Sequence, residues 1–126
     1  MIEINNLTKV SINKKSFSQV AKKVLIGENK ITKNISLAFV GKEEIKKINK
    51  KFRKKNKATD VLSFNLGQGN YLGEIVICPE VVKEKDEEIM EVFIHGILHL
   101  LGYDHEKSKK DAELMEKKQE KYLSNI

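Results

Sequence analysis

Apolar positions along this chain recur with two periods, and each period predicts an element. Phe17, Val20, Ala21, Val24 and Leu25 repeat at helical spacing, so residues 15–27 read as an amphipathic helix. Ile35 to Val40 reads as a strand, and residues 1–9 as a weaker one. Gly41 then opens a short helix in which Ile45, Ile48 and Phe52 are expected to face the core while lysines face water. Thr59 to Phe64 and Tyr71 to Cys78 read as strands, and the Gly67–Gly69 stretch between them suits an antiparallel hairpin. Pro79 is expected to close the second of these strands. Residues 84–101 are predicted to form the longest helix. Four acids at its start suit the positive helix end, and from Val92 it is apolar nearly all round, as a buried central helix would be. Gly102 ends it, and residues 107–123 form a final amphipathic helix. The sum is α+β, a small mixed β-sheet packed against helices.

Length and composition narrow the class. A chain of 126 residues fits a single domain over residues 1–126, large enough to bury a core without staples. One cysteine, Cys78, cannot form an intramolecular disulfide, so no oxidising compartment is needed, and it reads as a small buried apolar residue. The first residues carry Glu3 and lack an apolar stretch, which predicts no secretory signal. No apolar run nears the ~20 residues that span a bilayer. A cytoplasmic location is expected.

Charge adds a direction. The net charge is +6, and the excess is local. Residues 42–57 hold nine cations against two anions, whereas residues 80–91 are mostly acidic. An anionic partner, nucleic acid first, is implied, although a solvated lysine surface gives the same total. Of 24 cationic residues only Arg53 is an arginine, and it lies inside the most basic segment. It is either a surface arginine or a guanidinium kept for its planar fork of donors, which suits phosphate.

The candidate chemistry lies in eleven residues. All three histidines fall in His95-Gly-Ile-Leu-His99-Leu-Leu-Gly-Tyr-Asp-His105. His95 and His99 are i and i+4, so a helix projects both rings from one face. Gly102 allows the chain to turn back, and His105 then reaches the same point. Three imidazoles suit zinc with a fourth position open. A closed structural site needs one more ligand, for which Cys78 is the only thiol and Asp104 the nearest carboxylate. The spacing is that of the metzincin proteases, H-E-x-x-H-x-x-G-x-x-H, which makes the site zincin-like. Gly96 stands where those proteases carry their glutamate base, which weakens a peptidase reading. Met115 sits at a helical core position.

Position for position, His95 to His105 also resembles the signature H-G-x-L-H-L-x-G-Y-D-H of the YbeY family, bacterial endoribonucleases of ribosomal RNA maturation. Residues 49–64 are similar to the family block N-x-x-[FY]-R-x-K-D-x-P-T-D-V-L-S-F. Leu72 to Ile77 is similar to L-G-D-I-x-I, and Glu113, Met115 and Glu116 to its C-terminal helix. Ala58, Asn56 and Glu74 depart from the family's proline, aspartate and aspartate. The resemblance implies a zinc-dependent, single-strand-specific endoribonuclease of 16S rRNA 3′-end maturation and ribosome quality control. Its partners would be small-subunit rRNA and the ribosome or ribosome-assembly proteins. His95, His99 and His105 fall on its metal ligands, one Zn2+ per chain, and Arg53 falls on its functional arginine.

On this reading the metal cleft lies beside the central helix with the strand Leu72–Cys78 along its edge. Lys50, Lys51, Lys54, Lys55 and Lys57 draw in RNA phosphates, and Arg53 grips the one being cut. Tyr103 is a packing residue or a base-stacking one. Asp104 orients a ligand imidazole or shapes a turn. Two rivals are a zinc hydrolase of another class, peptidase-like, and a non-catalytic rRNA-binding assembly factor.

Overall fold

The computed structural model describes residues 2–124. Its elements are β1 (Ile2–Asn6), α1 (Lys14–Gly27), β2 (Asn34–Phe39), α2 (Lys42–Arg53), β3 (Val61–Gln68), β4 (Tyr71–Ile77), α3 (Pro79–Glu84), α4 (Ile89–Leu100) and α5 (Lys109–Ser124). The strand predicted over residues 1–9 is thus Ile2–Asn6, with Met1 outside the described residues. The sheet order is β1-β2-β4-β3. β1, β2 and β4 run parallel and β3 pairs antiparallel with β4, so the sheet is mixed, as expected.

Strand alternation divides the core into two layers. Ile35, Leu37, Phe39, Ile75 and Ile77 face one side of the sheet and pack with α1, α4 and α5. Leu62, Val76 and Cys78 face the other side and pack with Ile45 of α2 and Val81 of α3. α1 buries the predicted stripe from Phe17 to Leu25, and Asn13 caps it by accepting the Ser16 amide at 3.2 Å.

Three expectations change. Residues 84–101 are not one helix. The backbone breaks at Asp86 (φ 56°), α3 ends at Glu84 and α4 begins at Ile89. Lys85 to Glu88 offer no apolar side chain to bury, so nothing holds the helix across them. α5, at 16 residues, is the longest helix among those described. Pro79 follows β4 but opens α3, where its fixed φ suits a first turn. Phe52 does not face the core; it is 61% exposed. Its only ring neighbour on the sheet is Phe64 of the edge strand β3, at 5.5 Å. α2 here reaches the end of the sheet, and among the described residues no further strand lies beyond β3.

α2 stops at Lys54, which adopts a left-handed conformation (φ 58°). Asn49, 2% exposed, donates to the Lys57 carbonyl at 3.0 Å and ties the following loop back to the helix.

Candidate metal centre and its cleft

His95 and His99 lie one turn apart on α4, with their Nε2 atoms 3.1 Å from one another. Gly102 then takes φ 101°, a conformation that favours glycine. The Gly102 and Tyr103 amides donate back to the His99 and Leu98 carbonyls at 3.1 and 3.0 Å. The chain so reverses and brings His105 in: its ring centroid lies 5.1 Å from that of His95 and 5.2 Å from that of His99. One ligand nitrogen from each histidine lies within 4.8 Å of the others. The Asp104 carboxylate accepts the Glu106 amide at 2.9 Å, so it shapes the turn that carries His105.

These residues fit a tetrahedral metal. Two nitrogens at about 2.0–2.1 Å from one zinc stand roughly 3.3 Å apart, close to the observed Nε2 separation. Gln119 Oε1 lies 2.7 Å from His95 Nδ1, so that nitrogen donates and Nε2 keeps its lone pair for a metal. Burial depresses the His95 pKa, against the Gln119 hydrogen bond and with help from His105. Burial also depresses His99, reinforced by His95 and His105. The neutral imidazole, the form that ligates, is favoured in both. Cys78 is fully buried on the opposite side of the sheet, so it is no fourth ligand.

The triad opens into a cleft of about 1210 Å³ between α4, β3, α5 and the residues 102–107. β3, not the predicted Leu72–Cys78 strand, forms its edge. The sheet order puts β4 inside the sheet and β3 at its margin, with Val61, Ser63 and Asn65 lining the cleft. β3 lies along α4: Ser63 Oγ donates to the Gly96 carbonyl at 3.3 Å, and Asn65 donates to that of Leu100 at 3.4 Å. Gly96 explains the missing protease base. A Cβ there would lie 3.0 Å from Ile75 Cγ2 and 3.3 Å from Ser63 Oγ, so this position packs closely against the sheet and a larger side chain requires these neighbours to give way.

Arg53 also lines the cleft, donating to the Ser63 carbonyl at 3.2 Å. It comes from α2, behind the sheet, and reaches over the β3 edge. Lys50, Lys51, Lys54, Lys55 and Lys57 are exposed on the same flank, but none lines the cleft.

The other end of the cleft is acidic, with Asp60, Asp86, Glu87, Glu88 and Glu91 around Lys85. Partial burial and a hydrogen bond with Asp60 push the Glu87 carboxyl up to about 7. Asp60 is lowered. Its own burial opposes this, but bonds from Glu87, Thr59 and the Val61 amide, with Lys85 nearby, outweigh it.

Two supports escaped the sequence reading. Gln119 bridges from His95 to Glu91, donating at 3.1 Å, which links α5 to the metal face of α4. Gln119 sits four residues after buried Met115 and three before buried Tyr122, so a polar residue on that stripe was the available signal. The second is Glu28 beyond the end of α1, which accepts from Tyr103 at 2.5 Å, Lys118 at 3.2 Å and Tyr122. Burial opposes ionisation, but these three donors hold its pKa below the usual range. Tyr103 therefore anchors the loop carrying His105 to α1 and α5.

Comparison with known proteins follows the same residues. A family profile described as Endoribonuclease YbeY matches residues 3–126. The chain is similar to the protein named Endoribonuclease YbeY in Thermotoga maritima, 41% identical over 101 residues, 74% of this chain and 67% of that one. Its counterpart in Bdellovibrio bacteriovorus is 46% identical over 99 residues, 72% of this chain and 65% of the relative. That of Persephonella marina is 38% identical over 130 residues, 92% of this chain and 85% of the relative. Among solved structures, the solution structure of TM1509 from Thermotoga maritima superposes with a TM-score of 0.69 at 35% identity, covering 98% of this chain and 87% of that one. With the profile spanning nearly every residue and the triad in place, the chain belongs to the YbeY family.

Proposed function

We propose that this chain is a zinc-dependent, single-strand-specific endoribonuclease that acts in 16S rRNA 3′-end maturation and ribosome quality control. Cytoplasmic small-subunit rRNA would be its substrate, and the ribosome or its assembly proteins its partners. The observation that carries this reading is the meeting of His95, His99 and His105 with the Arg53 guanidinium in one open cleft, in a chain of this family. None of the described helices is long and apolar enough to cross a membrane.

His95, His99 and His105 would hold the zinc, with Gln119 orienting His95. Zinc bound there would supply a Lewis acid for the phosphoryl oxygen and lower the pKa of water. Arg53 would bind the phosphodiester and offset negative charge that grows on it during cleavage. Its lysine neighbours Lys50, Lys51, Lys54, Lys55 and Lys57 would hold flanking phosphates outside the cleft. The packed surroundings of Gly96 count against a peptidase.

The test incubates zinc-loaded protein with a single-stranded RNA carrying the 3′ end of pre-16S rRNA, beside His99→Ala and Arg53→Ala prepared identically. The expected result is cleavage by the native chain, none by His99→Ala, and cleavage slower by about 100-fold or more by Arg53→Ala, which still binds zinc. Equal cleavage by all three would mean a contaminating nuclease. RNA and zinc binding without cleavage would replace the enzyme with a non-catalytic assembly factor.

A further inference from the structure

Among the described residues, Phe52 is the one aromatic in the set of exposed large apolar side chains, and it sits in the most basic segment of the chain. An exposed phenyl ring gains nothing from water, and its exposed neighbours from Lys50 to Lys57 are five lysines, Arg53 and Asn56. Phe64 holds the ring edge-to-face, at 5.5 Å between centroids and 65° between planes, so the ring is braced from the sheet side. Lys51 places its ammonium over the ring, 5.3 Å from its centroid, so a stacking base takes the other face or displaces this ammonium. The next residue, Arg53, turns over the β3 edge and enters the cleft. Two consecutive residues therefore offer a braced aromatic face and a phosphate-binding fork.

The electrostatics of the cleft give a strand its direction. At the start of α4 the cleft ends in Asp60, Asp86, Glu87, Glu88 and Glu91, with only Lys85 among them, and beside His105 it is lined by Asp104 and Glu106 with Lys107. Phosphates are repelled there. A polyanion that passes the histidines is favoured to leave beside Arg53, across the β3 margin, toward Lys50, Lys51, Lys54 and Lys55. Phe52 stands on that route.

We propose that Phe52 is a base-stacking platform for single-stranded RNA crossing the β3 edge out of the metal cleft. The proposal rests on the endoribonuclease reading and deepens it. Every base has a π-face, so stacking here tolerates any sequence, but a base already paired in a helix has no free face to offer. Phe52 thereby supplies single-strand preference, while Arg53 and the lysines supply charge. Lys51 meets the phosphate of the stacked nucleotide.

The chain contains no tryptophan, so Phe52→Trp gives a single reporter at the proposed subsite. The zinc-loaded full chain carrying Phe52→Trp is titrated, within seconds of mixing, with a ten-nucleotide single-stranded RNA, a same-length abasic ribose-phosphate strand and an RNA duplex. The expected result is quenching of the tryptophan by the single strand alone. Phe52→Leu keeps an apolar contact with Phe64 but has no ring. It should weaken single-strand binding roughly 5- to 150-fold and leave abasic-strand binding unchanged. Binding of the single strand without quenching, or a Phe52→Leu chain that binds it as tightly as the native one, overturns the platform and leaves the endoribonuclease reading standing. Failure of the native chain to bind any of the three overturns both.

Discussion

The two sides of the sheet are built differently. On one, α1, α4 and α5 bury a continuous layer that includes Phe17, Phe39, Phe93, Ile97 and Leu98, and two of the three clustered histidines, His95 and His99, grow out of its central helix. On the other, α2 and α3 cover a smaller cluster around Ile45, Val76 and Cys78, and the outer surface of α2 is mostly lysine after Glu43 and Glu44. Converging three imidazoles within ångströms needs ligands locked by packing, and that is the thick side. Holding a flexible polyanion needs only solvated charge, and that is the thin side. Arg53 joins them, because it is rooted on the thin side and reaches into the cleft on the thick one.

Core truncations test this division most strongly. Ile97→Ala, inside the thick layer, should cost about 2–5 kcal/mol in urea unfolding and lower zinc affinity with it, since α4 carries two ligands. Ile45→Ala should cost toward the lower end of the same range and leave zinc affinity intact. Equal zinc loss in both would mean that the two sides are not separable. Next comes Tyr103→Phe, which removes one donor from the Glu28 carboxylate and should cost about 1.5–3 kcal/mol by thermal or urea unfolding. Gln119→Ala should weaken zinc binding about 10- to 100-fold in chelator competition without changing the fold, by freeing the His95 ring.

The smallest effect is a pH slope. The folded state raises Glu87 from 4.5 to about 7, so between those values the folded chain binds more protons than the unfolded one. Its contribution is therefore full below pH 4.5 and is lost as pH rises through about 7. Asp60 is lowered below 3.8, so its contribution is present above that value and lost as pH falls through its folded-state pKa. Glu87→Gln should flatten the fall in stability between pH 4.5 and 7, measured as Tm against pH. An unchanged slope would show that the carboxyl pair does not share a proton.

Much of this was legible along the chain. The α1 stripe, the strands and the three-histidine spacing are local patterns and all are present, although β3 starts at Val61 rather than Thr59 and runs past Phe64 to Gln68, into the stretch expected to turn. The misreadings were equally physical. Phe52 fits a helical stripe, yet the surface it would need ends at β3. Residues 84–101 carry no proline or glycine before Gly96, and the run of charged residues from Lys85 to Glu88 suits a solvated first turn as well as the break at left-handed Asp86. Tyr71 to Cys78 looked like the cleft's margin because chain order does not reveal sheet order. A hairpin partner can lie on either side of its neighbour, and here the later strand went inside.

By itself, then, the sequence determined what one helical turn and one glycine can determine: His95 and His99 on a common face, and His105 returned toward them at Gly102. Tertiary structure decided everything that requires two surfaces to meet. It set Gln119 against His95, Tyr103 against Glu28, Asp60 against Glu87, and Arg53 across the edge of β3. The reason is range. Spacing along a helix follows from its 3.6-residue repeat, whereas contacts between elements follow from how their apolar faces pack around a sheet whose strand order only the folded chain establishes.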